Sequence, residues 1–469
     1  MSELKKGTAF LITGWIIQLI AGYVINFYLA RSLGREAFGI YGVVMSILIW
    51  IEIGAINSFP LAIQKFVSAD VSNAGAIVRS ASRLQFFFIM VLFLIGFGAA
   101  PYIADTLKDG SITFFIRIAV VDIWLYGFFF VFQSLQNGLK NFGRQSIIMV
   151  IYSIAKLCFV LLFVSMSRSI TSALLANVAG SGAGLTAGII FFRKVEHGEN
   201  DHSSYIKPLI RFVVPIAIYS IMINLLLNVD LWIVKYFLGS GCSADYYSAG
   251  IIAKVPYYLF FSISAVALPA ISNALADKRT DRVGKTIQNS LRYLIILSVI
   301  ISVLATVYGR EIINLFFGPQ YLSAGDILKV LIWGMSSLAC FFLLTTIINA
   351  DNRPVKSFMI TGVVLIIDLI LNLILVQRMG VMGAALSTTV SVTTGCIIAG
   401  CVVIRRFNAF IKMITVIRVA SAAIIIYFIS NVFSVRGAMI IISGAALAIL
   451  YGLILILMRE LSWRELLHF

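Results

Sequence analysis

Stretches of about twenty mostly apolar residues recur along this chain with only short polar turns between them, and that recurrence constrains the fold more than any other feature. They lie near residues 9–30, 38–62, 83–104, 112–136, 145–166, 170–192, 212–238, 246–274, 290–308, 325–350, 356–377, 380–404, 413–432 and 437–458. Each is long enough to cross the hydrocarbon core of a bilayer as an α-helix, which takes about 20 residues. Backbone amides in lipid must be satisfied internally, so only helices and closed barrels can span. The alternating pattern of barrel strands is missing. The sequence therefore predicts an all-α polytopic membrane protein of about fourteen helices. Composition agrees: 61% of the 469 residues are hydrophobic and 12% charged, where a soluble domain has roughly 45–50% and about 25%.

The formal net charge of +16 invites a nucleic-acid reading until the charges are placed. With the N-terminus inside, the cytoplasmic loops hold Lys5, Lys6, Lys65, Arg79, Arg83, Lys140, Arg144, the Arg193 to Arg211 group, the Lys278 to Arg292 group, Arg353, Lys356, Arg405, Arg406, Lys412, Arg418, Arg459 and Arg464. The opposite loops hold Arg31, Arg35, Lys108, Arg168, Arg310, Arg378 and Arg436. A bias of this kind in short loops orients the helices with both termini in the cytoplasm, in the cytoplasmic (inner) membrane, and accounts for most of the charge without nucleic acid. The first span reads as uncleaved, being too long for a signal-peptide core. Cys158, Cys242, Cys340, Cys396 and Cys401 show no paired spacing, so neither a disulfide framework nor a zinc site is expected. The longest hydrophilic segments, Arg193 to Pro208 and Ala274 to Arg292, are too short to fold alone, and no GxxxxGK[ST] phosphate loop is present, which excludes an ATP-driven pump within this chain. His197, His202 and His468 sit singly in polar segments and read as solvated. No cofactor, metal centre or catalytic residue is expected.

Self-comparison shows an internal repeat. ARSLGREAFGIYGVVMSI (Ala30 to Ile47) answers KYFLGSGCSADYYSAGIIAKV (Lys235 to Val255), with Leu33-Gly34 matching Leu238-Gly239 and Tyr41 matching Tyr247. NFGRQSIIM from Asn141 answers NRPVKSFMI from Asn352. Six spans separate the copies each time, an even number, so the two halves run in the same direction about an axis along the membrane normal. The predicted organisation is an N-lobe of helices 1–6 over residues 1–192, a cytoplasmic linker over 193–208, a C-lobe of helices 7–12 over 209–404, and helices 13–14 with a cytoplasmic tail over 405–469.

These residues resemble a known family. ARSLGREAFGIYG after span 1, DLWIVKYFLG (Asp230 to Gly239) followed by ADYYSAGIIAKVPYYLFFSISAVALPAIS (Ala244 to Ser272), LFFGPQYLSAGDIL (Leu315 to Leu328), INADNRP (Ile348 to Pro354) and MGVMGAALST (Met379 to Thr388) are similar to the polysaccharide transporters and O-antigen-type flippases of the multidrug/oligosaccharidyl-lipid/polysaccharide exporter superfamily. The resemblance spans nearly the whole chain. It implies a MATE-like fold of two six-helix lobes around a central cavity, no enzymatic activity, and alternating access that moves a lipid-linked (polyprenyl diphosphate) oligosaccharide between leaflets for cell-surface polysaccharide synthesis. The implied partners are that lipid-linked oligosaccharide, membrane lipids and polysaccharide polymerase or export machinery. The alternatives are a cation-coupled exporter of small drugs and, further off, a membrane glycosyltransferase or polymerase. Span 1 carries no acidic residue, only Gln18 and Asn26, a departure from the first-helix cation site of drug-exporting relatives.

Charges inside spans cost about 2.5–3.5 kcal/mol each on the insertion scale and are kept where they face a polar cavity or one another. Here they are Glu52, Arg117, Asp122, Lys156, Asp230, Lys235, Lys254, Lys329 and Asp368. The basic excess favours an anionic cargo, and a diphosphate carries the charge that Arg and Lys bind through charge-assisted hydrogen bonds. Arg117, Lys156, Lys254 and Lys235 are the candidate diphosphate contacts; Arg117 also reads as a neutraliser of Asp122, and Lys235 and Lys329, near outer ends, also read as snorkelling side chains. Asp230 and Lys254 lie at matching depths and read either as a fixed ion pair or as cavity residues. Glu52, Asp122, Asp230 and Asp368 are the candidate ion-coupling or gating carboxylates. The aromatic runs Phe86 to Phe88, Tyr126 to Phe132 and Tyr257 to Phe261 read as packing, and SGAG (Ser181 to Gly184) as a site of close helix approach.

Overall fold

In the computed structural model, residues 2–192, 205–258, 270–275, 279–351, 353–432, 437 and 439–462 are described. Among them every long element is an α-helix: α1 (Ser2–Leu33), α2 (Arg35–Ala69), α3 (Ala74–Thr106), α4 (Ser111–Ala119), α5 (Asp122–Gly138), α6 (Phe142–Ser167), α7 (Ile170–Phe192), α8 (Ile206–Ala253), α9 (Thr280–Val307), α10 (Gly309–Phe316), α11 (Ala324–Ala350), α12 (Pro354–Met379), α13 (Val381–Phe407), α14 (Met413–Val432) and α15 (Met439–Leu457). Thirteen of the described stretches are long and apolar enough to cross a membrane. They account for the fourteen expected spans because the seventh and eighth are run together in Ile206–Tyr258. Residues 259–269 of the eighth, most of the 193–208 linker and all three histidines lie outside the described residues.

The junctions follow from backbone chemistry. Gly34 (φ 84°, ψ 166°) separates α1 from α2, and Gly239 (φ 83°, ψ −174°) interrupts α8 with nearly the same dihedrals. An L side chain rarely adopts such angles, so only glycine ends one span and starts the next here without strain. These are the two glycines that the internal repeat aligns.

The helices gather into two compact units, residues 1–244 and 245–469. In the first, α2 is the central helix, with 78% of its apolar window buried, whereas only 17% of α1's is. The exposed face of α1 carries Phe10, Ile12, Trp15, Ile16, Leu19 and Ile20, as expected for a helix with lipid on one side. One core cluster joins Phe59, Ile63 and Val67 of α2 with Ile77 and Ala81 of α3, Val131 and Leu135 of α5, and Leu209 and Val213 of α8. From there α8 runs antiparallel along α2: Phe66 meets Phe212 at 6.1 Å, a Cβ on Gly54 would touch Ile221, Trp50 packs edge-on against Trp232 at 5.6 Å, and Gly39 lies against the Ser240 carbonyl. Trp232 also donates its indole N–H to Ser46 Oγ at 2.8 Å.

In the second unit the central helix is α11, with 72% of its window buried. It packs on α13, where a Cβ on Gly334 would meet Thr389. Helices α14 and α15 share an apolar cluster with α9 that includes Ile296, Ile300, Val419, Ile426, Leu447 and Tyr451. One end of that trio is fastened by ions. Glu460, 4% exposed, accepts from Arg292 Nε at 2.9 Å, Arg418 Nη1 at 3.1 Å and Thr415 Oγ1 at 2.9 Å.

Candidate functional site

Asp122, Tyr126, Phe129 and Gln133 fall at i, i+4, i+7 and i+11 of α5 and so share one face. On α6 Tyr152 and Lys156 are one turn apart. The Tyr126 and Phe129 rings lie 5.5 and 4.8 Å from that of Tyr152, which brings the two faces together. Helix α7 closes the third side through small residues. A Cβ on Gly180 would stand 2.6 Å from Lys156 Cβ, and one on Gly184 would stand 2.8 Å from the Phe129 ring. Glycines at the crossing therefore let α7 lie directly on the lysine stem.

A charged cluster is set in this frame. Asp122 is buried and accepts from Asn177 Nδ2 at 2.6 Å, with Ser181 beside it. Glu52 of α2 is buried and feels the charges of both Asp122 and Lys156. Lys156 donates to the Tyr152 hydroxyl at 3.2 Å. Glu52 Oε2 and Asn177 Oδ1 are buried acceptors without a hydrogen-bond partner, and the Ser181 hydroxyl lies where it can donate to Asp122. Unmet acceptors are costly in a dry interior, and the charge of Lys156 acts on this group. Of the sequence candidates, Glu52, Asp122 and Lys156 are thus brought together. Asn177 and Ser181 were missed, Ser181 because its SGAG context signals packing, and Tyr126 and Tyr152 were hidden among aromatics that read as core.

Arg117 does not join the group. It is exposed on α4, its guanidinium 4.7 Å from the Phe97 ring, so the expected neutralisation of Asp122 does not occur. The backbone stays right-handed helical through Val120 and Val121, so the five-residue spacing sets Arg117 about 140° around the axis from Asp122.

Lys235 is only 4% exposed and does not snorkel. Its ammonium donates to Asp109 Oδ2 at 2.7 Å and to Ser240 Oγ at 2.6 Å. Asp109, in the turn between α3 and α4, also accepts from the backbone N–H and hydroxyl of Ser111 at 3.2 and 2.6 Å. Burial pushes the Asp109 carboxyl up, but Lys235 and Ser111 outweigh it and hold it below the usual carboxylate range. Next to the pair, Lys108 lies over the Tyr236 ring at 4.2 Å. Asp109 carried no sequence signal, since an acidic residue in a polar turn reads as solvated.

Asp230 is buried in the first unit and its Oδ1 accepts the Leu231 N–H at 2.8 Å, while Lys254 is half-buried in the second unit. Also in the second unit, Asp368 is fully buried on α12, one turn before Asn372, whose Nδ2 donates to the Asp368 carbonyl at 3.0 Å. Asp245, a buried carboxylate that the sequence did not single out, accepts from Ser323 Oγ at 2.6 Å. Lys329 pairs with Asp326 at 3.0 Å on its own helix. Among the described residues no three His, Cys, Asp or Glu side chains gather into a metal-holding group.

Comparison with known proteins gives this arrangement a context. The family model described as "Polysaccharide biosynthesis protein" matches residues 4–275, and the model described as "MatE" matches residues 215–374. The protein named "Probable flippase AglR" from Haloferax volcanii is 23% identical over 417 residues, covering 85% of this chain and 83% of its own. Among solved structures, a lipid II flippase MurJ in an inward closed conformation superimposes with a TM-score of 0.77 at 16% identity, covering 97% of this chain and 99% of its own. An inward-facing multidrug resistance MATE transporter superimposes with a TM-score of 0.72 at 11% identity, covering 83% of this chain and 94% of its own.

Proposed function

Because the chain belongs to the polysaccharide biosynthesis protein family, we propose that it is a flippase that moves a polyprenyl-diphosphate-linked oligosaccharide across the cytoplasmic membrane, for assembly of a cell-surface polysaccharide. The observation that carries this reading is the family match over more than half of the chain, on a two-unit helical fold of the MurJ and MATE type.

In this reading both termini are cytoplasmic, residues 1–192 and 209–404 form the two lobes joined by the 193–208 linker, and 405–469 adds two helices and a tail. Arg117, Lys156 and Lys254 are the cationic contacts offered to the diphosphate, and Lys235 joins them when its pair with Asp109 opens. Glu52 and Asp122, with Asp230 and Asp368, are the ion-coupling or gating carboxylates. The protein makes and breaks no covalent bond: it exchanges the head group between aqueous faces while the polyprenyl tail stays in lipid. A polysaccharide polymerase or export complex takes the product.

The test is reconstitution into proteoliposomes with a fluorescent polyprenyl-diphosphate oligosaccharide in one leaflet, followed by its accessibility to an impermeant glycosidase. Flipping that depends on the protein supports the proposal. Retention of the lipid in its original leaflet, with drug efflux in the same vesicles, would establish the exporter instead, and sugar transfer from a nucleotide donor would establish a glycosyltransferase.

A further inference from the structure

Two cysteines far apart in the sequence are brought together in the second unit. Helices α11 and α13 run parallel there, because the residues in contact rise in number together along both. A Cβ on Gly334 would stand 3.0 Å from Thr389 Cα, and Thr393 Oγ1 donates to Ser337 Oγ at 3.1 Å. Further on, the Phe341 ring would lie 3.2 Å from a Cβ on Gly395, and the Leu344 side chain 3.9 Å from one on Gly400. Cys340 and Cys396 each follow the contact of Ser337 with Thr393 by three residues, so both fall on this seam about one turn along. There the two thiols are hydrogen-bonded to each other.

Both cysteines are free and half-buried, held in position by the crossing yet open to a small reagent. A disulfide needs backbones that approach closely and Cβ atoms that point together. The seam offers both, with near backbone contact at Gly334 and thiols already touching at the cysteines. The product also suits an apolar span: a dithiol and a disulfide are both uncharged, so the conversion strands no charge in lipid. The other cysteines lack this placement. Cys401 is exposed and stands five residues beyond Cys396, about 140° around α13, while Cys158 and Cys242 belong to the first unit.

We propose that Cys340 and Cys396 are a reversible oxidation site, converted by an organic hydroperoxide into a disulfide that fastens α11 to α13. The first sulfur attacks the peroxide: the O–O and S–H bonds break, an S–O bond forms, and a sulfenic acid and an alcohol result. The second thiol attacks that sulfur, the S–O bond breaks, the S–S bond forms and water leaves. Two thiols and one hydroperoxide thus give one disulfide, one alcohol and one water, the peroxide taking both electrons. Such a hydroperoxide dissolves in the bilayer where these spans lie, and a dithiol reductant reverses the step. Because α11 is the central helix of the second unit, the bond ties the middle of that unit to its neighbour and restricts the unfolded chain.

The experiment treats the full chain in proteoliposomes with cumene hydroperoxide, blocks the remaining thiols with a maleimide in SDS, and reads the intact mass and the unreduced peptides. Wild type is expected to lose two of its five maleimide-reactive thiols, to yield a linked peptide pair containing Cys340 and Cys396, and to regain all five in dithiothreitol. The oxidised protein is expected to unfold at a higher SDS fraction than the reduced one. Cys340→Ser and Cys396→Ser, each a change of one atom, form no disulfide and show no such rise, whereas Cys401→Ser still loses two thiols. Five reactive thiols after treatment overturn the proposal, as does a disulfide that survives Cys340→Ser. Oxidation that stops at a sulfenic or sulfinic acid, with no S–S bond, overturns it too. None of these readouts measures lipid flipping, so this proposal and the proposed function fail separately.

Discussion

Asp109 and Lys235 form an ion pair whose two members are not equally placed, and the inequality makes a quantitative prediction. Lys235 is 4% exposed and Asp109 20%. Replacing Asp109 by Ala leaves a buried ammonium whose remaining partner is Ser240 Oγ. Uncompensated buried charge costs 3–5 kcal/mol in fully buried pairs, so about 3 kcal/mol is expected at this partly open site. Replacing Lys235 by Met leaves a carboxylate that keeps both Ser111 donors and reaches water. That loss amounts to about 1.5 kcal/mol, the low end for a hydrogen bond to a charged group, since the carboxylate is partly open to water. The double variant should cost less than the sum, with a coupling of about 1–2 kcal/mol. Reversible SDS titration followed by tryptophan fluorescence measures all three. The pH dependence has a definite sign: because Asp109 is held below the usual carboxylate range in the folded state, the stability it adds is fully present above that range and is lost as pH falls through the lowered value. Equal costs for the two single variants, or a costlier Lys235→Met, would refute this account of the pair.

Three further outcomes follow from the same structure. Glu460→Gln removes the charge that holds Arg292 and Arg418 together, and should cost about 2–3 kcal/mol in SDS titration and open residues 458–462 to limited proteolysis; unchanged proteolysis would show that apolar packing alone docks α14 and α15. Gly383→Ala would place a Cβ 2.1 Å from the Leu375 carbonyl oxygen, a backbone clash that no rotamer relieves, so a loss above about 3 kcal/mol is expected, seen as a collapse in the yield of monodisperse protein. Asp70 accepts from Asn73, Ser72 and Tyr205, which pull its pKa down to about 2; carbon-13 labelling of aspartate should show it titrating there, its contribution being present above the usual range and lost as pH falls through about 2, and a midpoint near 4 would contradict the bonding described.

The helices were legible because span length and apolarity are local properties, and the Gly34 and Gly239 breaks because glycine pairs stand out in a repeat. The charges of Glu52, Asp122 and Lys156 were legible for the same reason: a charge in an apolar span cannot be casual. What escaped was set by tertiary packing. Asn177 is an unremarkable amide until α7 lays it against Asp122. Arg117 lies five residues from Asp122 in sequence, and on a helix that spacing puts the two on different faces. Lys235 counted as a helix-end lysine free to snorkel, because nothing in the chain announces that the Asp109 turn folds over it.

The course of α8 along α2 sets a limit on how this protein can be cut. A split within 193–204, the seam that the repeat suggests, yields a first fragment stripped of Leu209, Val213 and Trp232, and so with the apolar flank of α2 laid bare. A fragment ending at Ala244 retains them and coincides with the first compact unit. Complementation from two separately translated pieces should therefore be more productive with the break after Ala244 than with the break before α8. The boundary expected from the repeat and the boundary drawn by packing lie about one helix apart in this chain.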